Sequence, residues 1–268
     1  MSDSFWQLPP WQERRSDGGL VPVTRKQRLG LRPIPRDHWF LPDADLLAHK
    51  RAQLIDRYDE VVAMTPDLVL PPLDAWALPV PVSGDVAWHP FVNHFAGVAE
   101  DVCLLDARHG FRLVAACLCA PSYWRLEDKL GQPLRTVHEP VEGMNARIGT
   151  RVERFLAEMP VGQPFCRRNW FVHGAPLLYH PAPETAAELG EDPAGWWFRS
   201  ERQVLYKPDA AHVLFTLSIS HAPVAGLAGR SGARNAFVAA LAGMDQDEIA
   251  HFGGVAKYAR LQEYVTRL

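Results

Sequence analysis

Apolar positions recur along the chain in two periods, and the switches between them mark out its elements. From Ala44, the residues Leu46, Leu47, Leu54, Ile55, Tyr58, Val61 and Val62 fall at helical spacing around Lys50, with charges on the opposite side. That spacing predicts an amphipathic helix. Pro66, Pro71, Pro72, Pro79 and Pro81 break the next segment, leaving room for a short helix from Leu73 to Leu78. The runs Asp101 to Asp106 and Phe111 to Cys119 read as strands on either side of a turn at Ala107 to Gly110, with the glycine at its left-handed position. Helical spacing returns at Ile148, Val152, Phe155, Leu156 and Met159, with Asn145 as the expected cap. Three more strands are expected at Phe165 to Val172, Trp196 to Leu205 and His212 to Ser220. In the last, Val213, Phe215, Leu217 and Ile219 alternate. From Ala233 to Leu268 the pattern is helical again, with a break at Gly253 and Gly254.

The order is helix, two strands, irregular connection, helix, three strands, helices. This predicts an α+β fold: a PAS-like five-stranded antiparallel sheet with a helical connector, flanked by N-terminal and C-terminal helical extensions. Residues 1–29, rich in Pro, Gly and charge, read as an irregular extension, and residues 30–268 as a single domain. Fold analogy alone assigns no function.

Between the two patterned regions, Pro121 to Asn145 shows neither period, yet carries Trp124, a Lys129-Leu130-Gly131 turn and a segment running from His138 through Pro140 to Gly143. Irregular connections of that length inside a compact domain are usually functional. Pro140 biases Glu139 away from helix, so the chain turns just after His138.

A chain of 268 residues buries a core without staples, and 47% hydrophobic with 22% charged residues is an ordinary globular composition. The net charge of −3 makes no electrostatic case for nucleic acid. Cys103, Cys117, Cys119 and Cys166 contain no CxxC pair and read as buried reduced thiols, not a zinc or iron–sulfur site. The first residues have neither a basic nor an apolar leader region, and no run is long enough to span a membrane. The expectation is a cytoplasmic protein.

Several short motifs together resemble one family. They are Leu29 to Ile34 ahead of Trp39; Glu100 to Leu105; Pro121 to Trp124 with Lys129 to Gly131; Val137 to Asn145; Arg168 to Trp170; and Ser200 to Leu205 followed by Leu214 to Thr216. In this order they resemble the heme-dependent oxidative N-demethylase alpha subunits, over most of the chain from about Leu29. The resemblance implies a heme b-binding PAS-like domain in which a small secondary amine such as dimethylamine is oxidised with O2 at a methyl carbon, releasing formaldehyde. Electrons would come from partner reductase subunits carrying FMN and a 2Fe-2S cluster and drawing on NADPH. This chain has no dinucleotide fingerprint and no ferredoxin cysteine run, as a catalytic subunit should not.

Of the 11 histidines, His138 is the candidate iron ligand by motif and expected position, with His173, His180 and His212 as competitors near the distal strands. A distal carboxylate would pair with the substrate ammonium, and a fixed guanidinium would stabilise charge developing on oxygen. Strand alternation sets Arg199, Glu201 and Gln203 on one face and Ser200, Arg202 and Val204 on the other. Glu201 is assigned to the amine, Arg199 to oxygen, and Arg202 to a heme propionate or a salt bridge. Trp170 is a candidate at the cofactor, although Trp170, Trp196, Trp197 and Phe215 also read as core. Ser218 and Ser220 stand where many family members carry an arginine and a tyrosine, which puts dimethylamine itself in question. A heme-based sensor and a heme-less scaffold subunit are the alternatives.

Overall fold

The computed structural model describes residues 4–14, 20–23, 29–76, 78, 88–137 and 149–268. Its strands in chain order are β1 (Gln12–Arg14), β2 (Leu20–Pro22), β3 (Arg32–Pro33), β4 (Val62–Met64), β5 (Asp101–Asp106), β6 (Arg112–Cys117), β7 (Phe165–His173), β8 (Trp197–Tyr206) and β9 (His212–Pro223). β1 and β2 form a small ribbon. The others make one sheet in the order β3-β7-β8-β9-β5-β6-β4, antiparallel throughout. The fold is α+β and its sheet is compatible with a PAS-like plan, but it has seven strands instead of five. The five expected strands occupy the middle. β3 and β4 are edge strands of two and three residues, too short to show any alternation. Pro33 suits its place on an edge, where no ladder donor is required.

The β5–β6 turn is as expected, with Gly110 left-handed at φ 68°. The first long helix is shorter than its periodicity suggests. It runs Ala44–Asp56, capped by the Asp43 carboxylate, which accepts from Leu46 N at 2.9 Å. After one further turn at Tyr58–Val61, the apolar run continues as β4. Within the central connection, one-turn helices form at Leu126–Lys129 and Leu134–Val137, and a longer helix spans Thr150–Glu158. The expected cap Asn145 lies outside the described residues. Beyond the sheet come helices Ser231–Ala242, Gln246–Phe252 and Val255–Arg267. The Gly253-Gly254 break is present, and an earlier one precedes the Asp245–Glu248 capping box.

The two faces of the sheet carry different cores. On the connector face, Leu126, Leu156 and Met159 pack with Cys103, Leu105, Leu113 and Val213. On the opposite face, Trp39, Phe91 and Phe95 cover Leu104, Val204 and Leu214, while Phe237, Leu241 and Leu261 of the C-terminal helices join Trp170, Val172 and Phe198. Of the described N-terminal residues, Phe5 and Trp11 belong to this second core. Trp11 is 1% exposed, donates through Nε1 to Ala233 O at 2.9 Å and packs against Trp170, Phe198 and Phe237. Isolated aromatics in a proline-rich run bury without any period, so pattern does not reveal them. Among the described residues no helix is long and apolar enough to cross a membrane.

Candidate functional site

β8 lies between β7 and β9, and its register fixes what surrounds each side chain. Glu201 sits opposite Asn169 on β7 and Ile219 on β9; Arg199 sits opposite Phe171 and His221. With Arg167, Gln203 and Leu217, these residues form a patch on the connector face. Glu201 is buried, yet Arg167, Asn169, Phe171, Gln203 and His221 around it are only half-buried although they lie in the sheet interior. The patch therefore forms the floor of a depression with a carboxylate at its centre.

Glu201 Oε2 accepts from Gln203 Nε2 at 2.9 Å, and its Oε1 lies 3.9 Å from Arg199 Nε. Arg199 is completely buried and spends its two terminal nitrogens on backbone carbonyls: Nη1 on Leu177 and Leu178, Nη2 on Ala120 and Pro121. It thereby ties the loop after β7 to the start of the connection. Its Nε has no hydrogen-bond partner among the described residues. Burial pushes the Arg199 and Arg167 guanidiniums down from their usual range, and the Glu201 charge opposes that in both. One carboxylate thus faces two cations in a poorly solvated setting.

A second group stands at the end of β7. His173 is completely buried, with Nδ1 3.0 Å from the Tyr123 hydroxyl, and that hydroxyl donates to Glu184 Oε2 at 3.1 Å. Glu184 Oε1 also accepts from Gly174 N at 2.6 Å. Burial, helped by the positive charge of Arg199 and Lys257, pushes His173 down to about 2, and burial with Arg199 pushes His221 down to about 3. Both imidazoles are neutral at physiological pH, and their Nε2 atoms are buried without a hydrogen-bond partner among the described residues. Tyr123, at φ 61°, is one of two described residues other than glycine with positive φ.

The structure brings Arg199 and Glu201 together as expected and places Gln203 and Arg167 beside them. It does not bring Arg202 or Trp170 to the depression. Arg202 lies on the opposite face, where it donates to Trp39 O at 2.7 Å and to His38 O. Trp170 is 2% exposed in the core under the C-terminal helices. Ser218 and Ser220 pair with Arg202 and Ser200 and share that far face. Their small size therefore leaves the floor of the depression unchanged. His138 lies outside the described residues. Sequence reasoning named His173 but missed Arg167 and the Tyr123 and Glu184 side chains grouped with that histidine. Arg167 was legible by counting in steps of two from His173 along β7, whereas no local spacing joins residues 123, 173 and 184.

Residues 75–267 match the family described as Haem-dependent oxidative N-demethylase, alpha subunit-like. The chain belongs to that family. A comparison with curated proteins finds no match. The family description indicates heme dependence, an oxidative demethylase relationship and a place in a multi-subunit assembly. The chemistry of the depression fits such a group. Phe171, Leu217 and Ile219 supply an apolar floor, Arg167 a cation for propionates, and Arg199 Nε and His221 Nε2 buried polar atoms without partners among the described residues. Cys103, Cys117, Cys119 and Cys166 are free thiols.

Proposed function

We propose that this chain is the heme b-binding catalytic subunit of an oxidative N-demethylase, with the depression on the connector face as its active site. The observation that carries the reading is Glu201, a carboxylate buried at the centre of a half-open patch in a member of this family. When bound, heme would supply the oxygen-activating chemistry, with His138 as its ligand and Arg167 at a propionate. The overall reaction consumes a secondary amine, O2, two electrons and two protons, and yields the demethylated amine, formaldehyde and water. Partner reductase subunits bearing FMN and a 2Fe-2S cluster would deliver the electrons from NADPH.

The residues of this chain bind and orient the amine. A small secondary amine arrives as an ammonium, and a buried carboxylate is the group that compensates its lost hydration. Gln203 fixes one Glu201 oxygen by its 2.9 Å hydrogen bond, leaving the other to receive the ammonium in place of the distant Arg199 Nε. Half-buried Asn169 and Phe171 border the same space. Limited water there strengthens the ion pair, while the apolar neighbours turn the methyl groups away from the carboxylate. The Arg199 Nε–H is the remaining donor aimed at this region and is available to negative charge developing on oxygen.

The test is the visible spectrum of heme-supplied protein, followed by titration with dimethylamine. A stoichiometric heme spectrum altered in His138→Ala, with a dimethylamine-induced change lost in Glu201→Gln, supports the reading. Absence of stoichiometric heme, or an unchanged amine response in Glu201→Gln, overturns it.

A further inference from the structure

Beside the depression, and independent of it, His173, His180 and Glu184 each offer a ligand atom within 4.8 Å of the other two. Their hydrogen bonds set which atoms carry lone pairs. His180 Nδ1 lies 2.9 Å from Ala182 O, a pure acceptor, so the proton is on Nδ1. His180 Nε2 then faces Glu184 Oε1 across a gap of 3.5 Å. Either a proton on Nε2 or a bound cation fills such a gap. Metal–nitrogen and metal–oxygen bonds of about 2.0–2.1 Å span such a gap at about 117°, close to a tetrahedral edge.

The surroundings are those of a ligand set with its outer partners in place. Ala182 O fixes the His180 tautomer, and Tyr123 and Gly174 N hold the two Glu184 oxygens. Gly174 permits the last contact, because a Cβ there would fall 2.2 Å from Glu188 O. Glu184 and His180 side chains are 5% and 11% exposed, and His173 is completely buried. His173 Nδ1 lies 3.9 Å from Glu184 Oε1 and 3.0 Å from the Tyr123 hydroxyl, and its Nε2 is buried with no hydrogen-bond partner among the described residues.

The geometry points to a divalent metal site, of the zinc type, in which a ring nitrogen of His173, Nε2 of His180 and Oε1 of Glu184 clasp the loop after β7 to the end of that strand. Two imidazoles and a carboxylate are the donors that borderline cations prefer, and three protein ligands leave a position open. The paired main chains at Ser122 and His180 join the clasp to the connection as well. Loading the site would therefore stiffen one wall of the depression.

The test is calorimetric titration of zinc chloride into chelator-dialysed wild-type protein, with heme content measured separately so that the heme reading stands or falls on its own. One zinc per chain is expected, with affinity reduced at least about a hundredfold in both Glu184→Gln and His180→Asn. Glu184→Gln keeps an acceptor for Gly174 N, so its fold is expected to remain, as checked by circular dichroism. No one-to-one binding by the wild type would show that a proton alone bridges His180 and Glu184 and would overturn the proposal. Equal zinc affinity in folded Glu184→Gln would overturn it too.

Discussion

Arg199 and Glu201, two residues apart on β8, face each other at 3.9 Å, while the terminal nitrogens of the arginine are committed to four backbone carbonyls. The pair is therefore held open at one atom and anchored at the rest. Arg199→Met is expected to destabilise the fold by about 3–5 kcal/mol, because it strands those carbonyls and removes the cation facing a buried carboxylate. Urea denaturation checks this. A variant of unchanged stability would mean that the carbonyls find water instead.

Glu100 is completely buried, with Oε1 accepting from Leu41 N at 2.9 Å and Oε2 unpartnered among the described residues. Burial pushes its carboxyl above the usual carboxylate range. The unfolded chain gives up this proton first as pH rises, so stability falls from the ordinary glutamate range up to the raised folded value and is level above it. Glu100→Gln removes that loss and is expected to gain about 1 kcal/mol at neutral pH. A lowered melting temperature in the variant would refute the argument.

Lys257 donates to Val172 O from a buried position, and burial pushes it down to about 8. Between pH 8 and the ordinary lysine value of 10.5 the unfolded chain binds more protons than the folded one, so this residue makes stability rise with pH across that window. Lys257→Met is expected to flatten the rise. Unfolding free energies measured at several alkaline pH values distinguish the two profiles.

Trp11 fills the aromatic core between β7, β8 and the C-terminal helices. Trp11→Ala is expected to cost about 3–5 kcal/mol, as for a core tryptophan and unlike a residue in a loose extension. Thermal unfolding of the variant provides the measurement.

The sequence was legible where one face of an element is buried and the element is long enough to repeat. β5 to β9 and the C-terminal helices were readable for that reason, and so was the shared face of Arg199 and Glu201. Edge strands β3 and β4 carry too few residues for a period, and β4 borrows apolar residues that also fit the preceding helix. Arg202 and Trp170 lie on the face away from the connector, and alternation states which residues share a face and not which face meets the connector. The Tyr123, His173 and Glu184 network depends on three segments meeting in space, and that meeting is set by Arg199 binding carbonyls near residues 120 and 178.

The pairing of β5 with β9, Asp101 against Leu217, joins the two halves of the sheet across the whole connection. Each half is built from neighbours along the chain: β5 with β6, and β7 with β8 and β9. These local pieces form on microsecond to millisecond scales, whereas their union must wait for a loop of more than about a hundred residues to close. The depression lies on β7, β8 and β9 alone, but its wall reaches back to the first half at Ala120 and Pro121. During synthesis the site is therefore completed late, after the last strand has emerged and docked against a hairpin made long before it.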